Sequence, residues 1–122
     1  MHNDCRNFFT QMELELTMAS NQVWARRLKE AREAKGLSQK QLGIDAGLDP
    51  SVASTRINRY EKGVHRADYP IIQKVAQVLD VPVAYLYADY DALANIILIF
   101  SRANAEQKTY LLELAIKLKN KI

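Results

Sequence analysis

The chain has 122 residues, 48% apolar and 25% charged, with 17 Lys and Arg against 14 Asp and Glu, which fits one compact domain with some extra helix. A single cysteine, Cys5, rules out an internal disulfide, and one Cys with two His cannot build a Cys/His metal cluster. No metal and no cofactor is therefore expected, and a reducing compartment is implied. The longest apolar run, Ile96 to Phe100, is far shorter than the ~20 residues that span a bilayer, and no secretory signal pattern opens the chain. The expectation is a cytoplasmic protein without a membrane partner.

Charge is unevenly spread. Residues 1–22 carry one basic and three acidic side chains, residues 23–66 carry ten basic against five acidic, and residues 67–122 carry six of each. The basic excess of the middle segment suits a polyanion such as nucleic acid, although such an excess also occurs on an ordinary solvated face.

Scarce Gly and Pro (4 and 3) and few β-branched runs favour an all-α fold. In the first 22 residues Phe8, Met12 and Leu16 align at helical spacing but lack an anchor, and this extension receives no role. From Val23 to Lys35 a helix is predicted, with Trp24, Leu28 and Ala31 on one face and Gly36 as its stop. Ser38 caps a second helix, Gln39 to Ala46, that buries Leu42 and Ala46. A turn opening with Gly47 and anchored by Leu48 leads to a third helix. Asp49 before Pro50 reads as its N-cap and first position, and Lys62-Gly63 as its stop. Two short helices joined by a Gly-led turn make the helix-turn-helix connection.

A fourth helix runs from Tyr69 to Leu79 with Ile71, Ile72, Val75, Ala76 and Leu79 inward, and Pro82 opens a short fifth. Two more follow. Asp91 to Phe100 is apolar almost all round, and Asn104 with Gln107 forms a capping-box pattern for the last helix. Leu93, Ile96, Ile97 and Phe100, with Leu111, Leu114 and Leu118, exceed what one small domain covers easily. They are read as a homodimer interface, the alternative being that they complete the monomer core.

Arg27 to Leu86 resembles the lambda-repressor-like, XRE-type helix-turn-helix regulators. RLKEAREAKGLSQKQL, AGL, INRYEKG and VLDVPVAYLY carry the likeness, over about half the chain. It implies a five-helix DNA-binding bundle followed here by two further helices, and a two-fold operator read by paired chains. There are two departures. Gly43 replaces the usual Ala of helix two. The spacing from Gly47 to Ile57 is also four residues longer than the usual pattern, about one helical turn, so helix three is expected to start one turn early.

On a wheel for that helix, Ala53, Ile57 and Tyr60 cluster on the core side. Ser51, Thr55, Arg59 and Lys62 lie opposite, flanked by Val52 and Asn58. Hydroxyl, amide and guanidinium groups supply the donors and acceptors that read base edges. The resemblance places base-reading positions at Ser54, Thr55 and Arg59, although Ser54 sits at the core edge of the wheel. It also makes Gln39 a phosphate contact, joined by Lys40, Lys62, His65 and Arg66 as further candidates. Arg32 and Glu61 match a partly buried ion pair of the family.

The expected organisation is an N-terminal extension (1–22), a helix-turn-helix domain (23–88) and a C-terminal helical segment (89–122) for dimerisation or partner binding. The expected function is a sequence-specific double-stranded-DNA-binding transcriptional repressor, with an antitoxin-like or adaptor protein as the alternative. An enzyme is not expected, since the sequence offers no thiol–histidine pairing, no Gly-rich phosphate loop and no metal-ligand spacing.

Overall fold

The computed structural model describes residues 22–122; the expectations for the first 21 residues lie outside it. Among the described residues the fold is all-α. Helix α1 covers 22–35, followed by α2 (Gln39–Asp45), α3 (Ala53–Glu61), α4 (Tyr69–Leu79), α5 (Val83–Tyr87), α6 (Asp91–Arg102) and α7 (Ala105–Lys119).

Local chemistry sets most of these boundaries. The Ser38 hydroxyl accepts from the Gln41 N–H at 3.0 Å, and the Asp68 carboxylate from the Ile71 N–H at 3.2 Å, so α2 and α4 each have a side-chain cap. At α7 the capping box closes in both directions: Gln107 N–H donates to Asn104 Oδ1 at 2.8 Å, and Asn104 N–H donates to Gln107 Oε1 at 3.0 Å. Gly47 ends α2 at φ +90°, a conformation that a Cβ would strain.

The expected early start of α3 is not what forms. Val52 N–H donates to Asp49 O at 3.0 Å, closing a turn over residues 49–52. Val52 itself, at φ −120° and ψ −7°, caps a helix that begins at Ala53. Asp49 Oδ1 accepts from the Ser51 amide at 2.8 Å and from its hydroxyl at 2.6 Å. The Asp-Pro signal thus opens a tight turn, where Asp suits the first position and Pro the second. The four extra residues add a separate turn ahead of α3, and residues 46–52 connect α2 to α3.

The core gathers Leu28 from α1, Leu42 from α2, Ala53 and Ile57 from α3, Val75 from α4 and Leu86 from α5, all fully buried. A buried Leu or Ile contributes roughly 2 kcal/mol through removal from water. Trp24 meets Tyr60 edge-on, ring centroids 5.9 Å apart, which ties α1 to the end of α3. Helix α2 packs on α3 and α4, and α5 bridges α4 and α6.

The bundle thins toward its end. Ala94 is the buried residue of α6, and α7 buries none. Ile96 and Leu118 remain 65% and 62% exposed. The alternative in which both helices complete the monomer core is therefore not the arrangement seen.

Candidate nucleic-acid interface

Helix α3 presents two faces because its apolar residues recur at helical spacing. Ala53, Ile57 and Tyr60 point inward and are buried, while Ser54, Thr55 and Arg59 are exposed. Ser54 is thus on the open face, not at the core edge where the wheel put it. Ser51 and Val52 are exposed as well, on the turn ahead of the helix.

Besides its core packing and the Trp24–Tyr60 contact, three contacts hold helix α3 in place. Gly43 of α2 lies against Ala53 so closely that a Cβ there would come within 2.7 Å of the Ala53 Cβ and 2.9 Å of its Cα. Arg32 of α1 grips Glu61 with Nε to Oε2 at 2.7 Å and Nη2 to Oε1 at 3.0 Å, and its Nη1 donates to Leu37 O at 2.8 Å. The Glu61 hydrogen bond, more than its charge, holds the Arg32 pKa above the ordinary arginine value against the opposing effect of burial. Gln39 Nε2 donates to Asn58 Oδ1 at 3.2 Å and to Glu61 Oε1 at 3.3 Å. Two side chains selected for DNA contact, Gln39 and Asn58, are therefore joined to each other across the α2–α3 junction.

Cations line the flank of α3. A groove of about 470 Å³ is bordered by Val52, Thr55, Arg56, Arg59, His65 and Arg66, which joins the helix to the loop that follows it. Arg56 was not singled out by the sequence reading. It donates through Nη2 to the Tyr60 hydroxyl at 2.9 Å and stacks over the same ring at 5.9 Å. Its spacing of four from Tyr60 was the available signal. Lys40 and Lys62 are exposed outside that groove.

Some cations of the basic segment face elsewhere, Arg26 toward Asp91 among them. Arg27 is 2% exposed, and Arg32 is spent on Glu61. Among the described residues no group of three or more His, Cys, Asp or Glu is placed to hold a metal ion, and no helix is long and apolar enough to cross a membrane.

Residues 28–86 match the model of a family described as helix-turn-helix. The crystal structure of the transcriptional regulator BswR is similar at a TM-score of 0.72 and 42% identity, over 76% of this chain and 92% of that one. The chain belongs to the helix-turn-helix family. Two further helix-turn-helix relatives, an uncharacterized HTH-type transcriptional regulator of Sinorhizobium medicae (strain WSM419) and the uncharacterized regulator R00410 of Rhizobium meliloti (strain 1021), are each 33% identical over 63 residues. That stretch is 52% of this chain and 42% of each relative, so the likeness spans less than half of their length. The likeness to BswR covers a larger share of the chain than residues 28–86 alone.

Proposed function

We propose that this helix-turn-helix protein is a sequence-specific double-stranded-DNA-binding transcriptional regulator that acts in the cytoplasm as a repressor by occupying a two-fold operator as a homodimer. The observation that carries the reading is the exposed polar face of α3, with Thr55 and Arg59 beside a cation-lined groove. A helix of this size fits the major groove. Arg59 would bind guanine O6 and N7, Thr55 and Val52 would offer methyl groups to thymine, and Ser51 and Ser54 would add hydroxyl contacts. Lys40, Lys62, His65 and Arg66 would hold phosphates, which position the protein without reading sequence.

The pairing surface is the apolar face left open by α6 and α7. Ile96, Ile97, Phe100 and Leu111 border a groove of about 750 Å³ between the two helices, and Leu93, Leu114 and Leu118 extend the same apolar segment. A second copy would cover it by an isologous contact. The same face would serve the antitoxin-like or adaptor reading, with a different protein as its occupant.

Selection from a randomised duplex pool at physiological salt tests the proposal. Enrichment of paired, symmetric half-sites about one duplex turn apart is the expected result. Salt-sensitive bulk binding without an enriched motif would overturn sequence reading by α3 and turn attention to a protein partner.

A further inference from the structure

We infer that Arg27 clasps the start of α6 to α1 and thereby sets which half-site spacing a pair of these chains accepts; this rests on the paired DNA-reading function proposed above. Arg27 is 2% exposed, and burying a guanidinium is costly unless it is well partnered. Its Nε donates to Ala88 O at 2.9 Å, and its Nη1 to Asp91 Oδ1 at 3.2 Å. The Tyr85 ring lies 5.7 Å beneath it. Nη2 is buried with no hydrogen-bond partner among the described residues. An apolar side chain would fill this space without an orphaned donor. What the guanidinium adds is direction, because it holds both ends of the short link between α5 and α6. Arg26 reinforces the hold, its Nη2 reaching the same Asp91 oxygen at 3.4 Å.

Beyond this point α6 is only partly covered, with Leu93, Ile97 and Leu98 half-buried. Ala94 is its buried residue, and further along a depression of about 260 Å³ lies between Ala31 and Ala34 of α1 and Leu98 and Arg102 of α6. The direction of the α6–α7 arm is therefore set at its first turn. On DNA, each added base pair moves the second half-site by about 3.4 Å and rotates it by about 35°. A clasped arm cannot follow both changes. A loosened arm can, though at a lower effective concentration for the second contact.

The test is the duplex selection repeated with the full-length chain carrying Asp91→Ala, Asp91→Asn or Arg27→Lys. Asp91 is exposed, but Asp91→Ala takes an ionic partner from the buried Arg27 and should cost some stability, whereas Asp91→Asn keeps an acceptor for it. The wild type should favour one spacing over its neighbours by about tenfold, and Asp91→Ala by about threefold or less, with the half-site sequence unchanged. Asp91→Asn, which keeps an acceptor oxygen, should fall between. Sedimentation should show each variant paired as the wild type is, and a thermal melt reports which variants fold; Asp91→Asn decides the matter where Asp91→Ala or Arg27→Lys does not. Wild-type spacing preference in paired Asp91→Ala overturns this inference alone. Single half-sites selected by the wild type overturn the paired reading and this inference with it.

Discussion

Arg32 and Glu61 meet in a two-pronged hydrogen-bonded ion pair, at 2.7 and 3.0 Å, that fastens α1 to the last residue of α3. The Glu61 side chain is 3% exposed, so removing Arg32 strands a buried carboxylate. Arg32→Ala should lower unfolding free energy by about 3–5 kcal/mol. The double change Arg32→Met with Glu61→Leu should recover most of that loss, because no charge is then left buried. Urea titration of the three proteins checks this. An unchanged midpoint for Arg32→Ala would contradict it.

Gly43→Ala should destabilise, against the usual helix preference. Alanine in a helix interior is normally favoured over glycine by about 1 kcal/mol. Here the new Cβ would meet Ala53 Cβ, Cα and O at 2.7, 2.9 and 3.0 Å, and backbone cannot swing aside. A net loss of about 1–3 kcal/mol is expected, with weaker DNA binding because α3 must shift. Ala53→Gly in the same chain should restore part of the stability, as thermal denaturation would show.

Arg59→Ala and Lys62→Ala should weaken DNA binding in different ways. Loss of a bidentate base contact costs about 1–3 kcal/mol and relaxes preference at one position of the half-site. Loss of a phosphate contact weakens every sequence alike and lowers the salt slope by about one. Affinity measured over a set of single-base operator variants at two salt concentrations separates the two.

Acid should release the turn ahead of α3. Hydrogen bonds from the Ser51 hydroxyl and then its amide lower the Asp49 pKa below the ordinary 3.8. A depressed carboxylate pKa adds stability that is present above the unfolded value and lost as pH falls through the folded one. The turn should therefore hold above pH 3.8 and loosen below it. Ser51→Ala should move the Asp49 titration, followed by carboxyl carbon resonance, back up toward 3.8.

The pairing proposed above predicts that Ile96→Glu and Leu118→Glu give single chains without unfolding them. Both residues are already more than half exposed, so a carboxylate there costs the monomer little. Sedimentation velocity should show a halved mass, with unaltered helical circular dichroism.

Elements with local signals were legible in the sequence. The bounds of α4 follow its apolar period, and the α7 cap follows from Asn104 and Gln107 standing three apart. The start of α3 was misread because Asp followed by Pro fits a helix N-terminus and a tight turn equally well. Val52 decides between them through a backbone angle that no residue type announces. The burial of Arg27 was not legible, because it read only as one of the ten basic side chains of residues 23–66; the groups that hold it lie 61 and 64 residues away. Nothing in the spacing of Arg32 and Glu61 says that they meet, and the family likeness carried that expectation.

The break at Val52 separates the length of the connection from the placement of the helix it leads to. Ala53 against Gly43 and Glu61 on Arg32 fix α3 from within, so its alignment rests chiefly on α1 and α2, and of residues 49–52 only the Val52 cap is built into the helix. Such a turn is a tolerant place for insertion and deletion: an evolving lineage could lengthen, shorten or resequence it one residue at a time, altering what the protein touches while inheriting its scaffold unchanged.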